Sequence, residues 1–128
     1  MSAYFDASAL VKLVVPERES SALASWVEGR SPLVSCTLAR VEVVRAVRPH
    51  GSSAVRTART LLDEMDLTHL DDELLDLAGE LEPPLRSLDA IHLAAALELG
   101  DELEAVVTYD ARMTRSAEAL GLPVAAPA

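Results

Sequence analysis

Four acidic residues stand where a folded chain could use them together. Asp6 closes the short apolar run Ala3-Tyr4-Phe5, and Asp110 lies two residues beyond Ala105-Val106-Val107-Thr108. Asp89 follows Ser87 by two residues, in the first turn of a helical stretch. Glu42 lies six residues after Cys36, within a helical stretch otherwise built of Val, Leu, Ala and Arg. If the apolar runs are parallel strands, all four fall toward the carboxyl edge of one sheet, where open α/β folds place their ligands. Carboxylates gathered within a few ångströms raise one another's pKa unless a cation neutralises them. Oxygen-only donors suit a hard cation such as Mg²⁺ or Mn²⁺, which keeps several waters and completes its shell with phosphate oxygens. Phosphodiester hydrolysis is the chemistry that follows. The ion would acidify a bound water and orient it for in-line attack, and a second ion about 3.5–4 Å away would stabilise the leaving oxygen. Taken singly, each acid reads as well as a helix cap or a solvated charge, Asp89 as a cap above all. The coincidence of four raises the functional reading.

The elements that must position these acids alternate along the chain. Strand-like runs at 3–5, 33–36, 67–70, 105–108 and 123–125 alternate with helical spacing over 7–15, 17–29, 38–47, 52–65, 71–81, 87–99 and 111–120. Pro16, Pro49 and Pro83-Pro84 read as breaks, Ser52 or Ser53 and Ser87 as caps, and Gly29, Gly100 and Gly121 as helix ends. Strands separated by helices predict an α/β fold, with a mostly parallel central sheet of about five short strands flanked by helices. The 128 residues suffice for a single domain.

Composition narrows the function classes. The single cysteine, Cys36, permits no intrachain disulfide and no cysteine zinc cluster, and reads as a buried small hydrophobe. No apolar run reaches the ~18 residues of a membrane span, and Asp6 interrupts any secretory leader, so a cytoplasmic protein is expected. The net charge is −10, very unevenly distributed. Residues 1–64 hold eight basic and seven acidic side chains, whereas 65–128 hold three and fourteen. Such a chain repels polyanions on average and favours cations or a basic partner.

At the level of motifs the chain resembles the PIN-domain ribonucleases, and within them the VapC-like toxins of bacterial toxin–antitoxin pairs. Tyr4-Phe5-Asp6-Ala7-Ser8-Ala9-Leu10-Val11-Lys12 is similar to the family's opening strand and acid. Leu38-Ala39-Arg40-Val41-Glu42-Val43 is similar to its helix glutamate segment. Leu88-Asp89-Ala90-Ile91-His92-Leu93-Ala94-Ala95-Ala96 and Val106-Val107-Thr108-Tyr109-Asp110-Ala111-Arg112-Met113 are the most specific matches. The resemblance covers nearly the whole chain in order. It implies a single PIN-like domain with Mg²⁺- or Mn²⁺-dependent endoribonuclease activity, and metal-site roles for Asp6, Glu42, Asp89 and Asp110. Asp6 and Asp89 are implied as direct ligands, Glu42 as a ligand or a water-positioning group, and Asp110 as acting through water. Ser8 and Thr108 are candidates to orient a carboxylate or a phosphate. A homodimer is implied, as is a cognate antitoxin whose basic C-terminal arm covers the acids.

RNA affinity must then come from cations and local arginines, which make up ten of the eleven basic residues. Arg86 and Arg112 are the best phosphate candidates, and Lys12, Arg40 and Arg45 could border the cleft; each reads equally as a solvated charge or an internal ion pair. Few aromatics are present, so base stacking is a weak route to recognition, and Trp26 reads as a core or partner contact. His92, one turn from Asp89 in an apolar helix, reads as a hydrogen-bonded structural histidine rather than a base or ligand. Two other classes compete. A receiver-type phosphoacceptor would need a lysine beyond a late strand, and the only lysine is Lys12. A non-catalytic module would use the acids to dock a basic partner.

Overall fold

A computed structural model describes residues 1–82 and 85–128. Its five strands, β1 (Ser2–Phe5), β2 (Val34–Cys36), β3 (Asp66–Thr68), β4 (Leu103–Val107) and β5 (Val124–Ala125), form one sheet in the order β3-β2-β1-β4-β5. Every pairing is parallel. Among the described residues, seven α-helices fill the connections: α1 (Ala7–Val14), α2 (Ser20–Val27), α3 (Ala39–Val47), α4 (Ser52–Glu64), α5 (Asp72–Glu80), α6 (Ser87–Leu97) and α7 (Ala111–Ala119). The α/β fold read from the alternation is the fold observed. None of the described helices is long and apolar enough to cross a membrane.

Period-two alternation divides the core between the two faces of the sheet. Ala3, Phe5 and Val107 face a layer with Leu10, Leu23, Val43, Val47 and Leu62. Tyr4, Val34, Cys36 and Val106 face the other, with Leu74, Ala90, Ala94 and Ala95. The small side chains Ala90, Ala94, Ala95 and Ala96 let α6 approach the sheet closely. From the central strand β1 the chain goes to β2 on one side, while β4 pairs on the other. The end of β1 is therefore the crevice where such sheets bind ligands.

Element ends differ from expectation where side chains outside the segment decide. α2 begins at Ser20 rather than at 17, because the Ser20 hydroxyl accepts from Glu17 N at 2.8 Å and donates to Val15 O, tying down the loop after Pro16. Pro49 does not end the chain's coiling; it sits in a 3₁₀ turn, Arg48–His50, that continues α3. Neither Ser52 nor Ser53 caps α4, whose N-cap is Gly51 at φ 105°. Ser87 does not cap α6; Arg86 occupies the cap position without a side-chain bond. At the end of α7, Gly121 adopts φ 76°, Gly121 N bonds Glu118 O, and Leu122 N bonds Ala117 O. That pair of bonds is a glycine-dependent helix stop, and it turns the chain into β5. The break expected at Pro83-Pro84 lies outside the described residues.

Candidate active site

Asp6 sits one residue past β1 and is only 4% exposed. Its Oδ1 accepts from Ser8 Oγ at 2.7 Å and from Ala9 N at 3.1 Å, capping α1. Its Oδ2 accepts from the Thr108 hydroxyl just beyond β4. Tyr109 N in turn donates to Ser8 Oγ, and Asp110 N to Thr108 Oγ1. Burial pushes the Asp6 pKa up; the bonds from Thr108, Ser8 and Ala9, and the charge of His92, offset part of that rise.

Asp110 is exposed and caps α7, its Oδ1 accepting from Arg112 N and Met113 N. The capping reading, weighed most heavily for Asp89, therefore belongs to Asp6 and Asp110. Asp89 lies in the first turn of α6, half-buried, with no capping bond. Burial and then the charge of Asp110 raise its pKa, while His92, Arg112 and Arg86 pull it down. The charges that bear on Asp89 are thus those of Asp110, of His92 and of two exposed arginines.

Glu42, on the first turn of α3, reaches inward to His92, with Oε1 2.6 Å from Nε2. His92 is 2% exposed, and its Nδ1 lies 2.8 Å from the Tyr4 hydroxyl and 3.7 Å from Cys36 Sγ. Burial alone would push the imidazole pKa down. The Cys36 sulfur and, at the shorter distance, the Glu42 carboxylate outweigh that effect and hold it above its ordinary value. The structural-histidine reading holds to the extent that both ring nitrogens have partners. The link to Glu42, across 50 residues, was not legible from the spacing alone. A polar ring in the apolar stretch Ile91–Leu97 signals that partners exist; it does not say which.

His92 bonds Glu42, its charge bears on Asp6 and Asp89, and the charge of Asp110 bears on Asp89. The four acids do not converge as one ready-made cage. Among the described residues, no three His, Cys, Asp or Glu side chains are placed to hold an ion between them. The physical reason is local: Asp6 is turned to Ser8 and Thr108, Glu42 to His92, and Asp110 to its own helix. The cleft between α1 and α4, lined by Leu13, Arg56, Thr60 and Glu64, contains none of the four acids.

The other cations divide. Lys12 pairs with Glu19 at 2.7 Å and lies over the Tyr109 ring, and Arg40 pairs with Asp63 at 2.9 Å. Arg45, Arg86 and Arg112 are exposed and make no ion pair among the described residues. Trp26 packs edge-on against Phe5, and Arg30 lies over its ring. Cys36 is fully buried.

Comparison with known proteins identifies the family of the chain. Residues 3–119 match the model of the PIN domain. The chain is 50% identical over 125 residues to Ribonuclease VapC46 of Mycobacterium tuberculosis, covering 97% of this chain and 96% of that one. It is 42% identical over 129 residues to Ribonuclease VapC35 of the same species, with the same coverage. The crystal structure of Mycobacterium tuberculosis VapC20, described as a sarcin-ricin loop cleaving toxin, superposes with a TM-score of 0.70 over 90% of this chain and 95% of that one. At 15% identity, that likeness concerns the fold.

Proposed function

This chain belongs to the PIN-domain family, and from that membership we propose that it is a metal-dependent endoribonuclease acting as the toxin of a toxin–antitoxin pair. The observation that carries the reading is half-identity along nearly the whole chain to a protein named ribonuclease VapC. The proposed site acids are Asp6, Glu42, Asp89 and Asp110. Asp6 and Asp89 would hold Mg²⁺ or Mn²⁺ directly, Glu42 would hold the ion or position water, and Asp110 would act through water.

The donor set suits such an ion. Asp6 accepts three hydrogen bonds, which leaves one of about four carboxylate lone-pair positions open. Its burial without a strong countercharge, read from the raised pKa, is the environment a cation would relieve. Asp89, raised by burial and then by the charge of Asp110, would be relieved by a cation in the same way. Once bound, the ion would supply charge neutralisation for the phosphodiester and a more acidic water.

The chain's own part is positional. Ser8 and Thr108 fix the Asp6 carboxylate, so its placement costs no reorganisation when substrate arrives. Arg86 and Arg112, already near Asp89, would receive phosphate oxygens. The expected partners are RNA, a second copy of the chain, and an antitoxin whose basic C-terminal arm meets these acids. The test is cleavage of RNA by purified protein with Mg²⁺ or Mn²⁺, with EDTA, and with Asp6→Asn. Cleavage that survives in Asp6→Asn removes the site assignment. Intact RNA under every metal condition, with a basic peptide still bound, favours the docking module instead.

A further inference from the structure

We propose that His92 is the positioning residue for Glu42, held in place by the Tyr4 hydroxyl, so that a Tyr4–His92–Glu42 relay sets one wall of the acidic site. The inference rests on the site reading above and adds to it a residue outside the four acids.

The geometry is closed at each joint. Tyr4 is fully buried on β1, two residues before Asp6, and its hydroxyl lies 2.8 Å from His92 Nδ1. The two rings meet edge-on, centroids 5.9 Å apart at 70°. His92 lies one turn after Asp89 on α6 and presents Nε2 to Glu42 Oε1 at 2.6 Å. Among the described residues, the other Glu42 oxygen takes no hydrogen bond and is left for the site. An ionised carboxylate only accepts, so Nε2 carries the hydrogen, and a tyrosine hydroxyl can serve Nδ1 as donor or acceptor. The relay therefore does not depend on the protonation state of the ring. It joins the strand that ends at Asp6, the helix that carries Asp89 and the helix that carries Glu42. A glutamate released from it would recover its rotamer freedom, and outer partners of this kind typically change affinity or activity by about 10–100-fold.

The experiment compares full-length Tyr4→Phe, His92→Gln, Glu42→Gln and the His92→Gln/Glu42→Gln pair. RNA cleavage is separated into kcat and KM, and Mn²⁺ affinity is read by electron paramagnetic resonance. Tyr4→Phe and His92→Gln should lower kcat by about 10-fold with little change in KM, and weaken Mn²⁺ several-fold. The double variant should match Glu42→Gln alone, because His92 acts through Glu42. Additive losses in a folded double variant overturn the proposal, as do unchanged kcat and Mn²⁺ affinity in the single variants. If His92→Gln does not fold, Tyr4→Phe combined with Glu42→Gln provides the same comparison. If the parent protein cuts no RNA, the nuclease reading fails, and the Mn²⁺ affinities still decide on the relay.

Discussion

The Thr108 hydroxyl donates to Asp6 Oδ2 at 2.5 Å, joining residues 102 apart in sequence. Thr108 Oγ1 also accepts from Asp110 N at 3.1 Å. One fully buried hydroxyl thereby ties two of the four acids to each other and to the ends of β1 and β4. Hydrogen bonds to a charged group contribute about 1.5–3 kcal/mol. Thr108→Val keeps the shape and removes the hydroxyl, so it should lower unfolding stability by about 2 kcal/mol and reduce RNA cleavage. Thr108→Ser should retain most of both. Urea unfolding and a cleavage assay check this, and an unaltered Thr108→Val would show that the bond holds nothing.

Asp6→Asn should abolish cleavage yet stabilise the metal-free protein at neutral pH. Burial raises the Asp6 pKa above its ordinary value of 3.8, so between the two values the folded state binds more protons than the unfolded state. Stability then falls as pH rises from 3.8 through the folded-state value. Asparagine caps helices as well as aspartate and carries no charge to desolvate. The melting temperatures of parent and variant, measured in EDTA, should diverge upward from the acid range. A variant less stable than its parent at pH 7 counts against the buried-charge argument.

Divalent ions should stabilise the folded chain by mass action. Mg²⁺ or Mn²⁺ at 100 times its Kd should add about 2.7 kcal/mol, and EDTA should reverse both that gain and RNA cleavage. Asp89→Asn should blunt the gain without lowering stability in EDTA, since the half-buried Asp89 is raised by burial and by Asp110. Thermal unfolding with and without metal measures it, and an equal shift in parent and variant would remove Asp89 from the metal site.

Arg30 offers a contrast, because its hydrogen bonds and ion pair go to Glu104 and Trp26 and to none of the four acids. Its guanidinium meets Glu104 through Nε at 3.0 Å and Nη2 at 2.9 Å and lies 3.8 Å over the Trp26 ring. Both partners are about one-third exposed, so solvent screens the pair. Arg30→Ala should cost about 0.5–1 kcal/mol of stability and leave cleavage per folded molecule unchanged. A selective loss of cleavage would place Arg30 on the RNA path.

Expressed alone, the chain should arrest bacterial growth, and co-expression of the protein encoded beside it should relieve the arrest. Growth curves after induction, with Asp6→Asn as the inactive comparison, check the toxin role. Harmless accumulation of an enzyme that cleaves RNA would remove it. Mapping RNA 5′ ends after induction would identify the target.

Periodic information was legible in one dimension. Ala3-Tyr4-Phe5 before Asp6, and Ala105-Val106-Val107 before Thr108, marked strands whose ends carry polar residues, and the helical stretches between them required parallel pairing. Those patterns depend on burial of neighbours a few residues away, so the order of residues determines them. The caps were harder: Ser52, Ser53 and Ser87 have the right chemistry, but Gly51 and Arg86 occupy the cap positions. Which side chain turns back on its helix is decided by the preceding loop.

Tertiary structure alone decided what each acid touches. Glu42 to His92, Tyr4 to His92 and Thr108 to Asp6 span 50, 88 and 102 residues, and each depends on two rotamers set by packing on a sheet. The same packing kept the acids from forming a closed cage. A buried carboxylate takes the nearest fixed donor, and that donor comes from whichever distant segment the fold lays beside it.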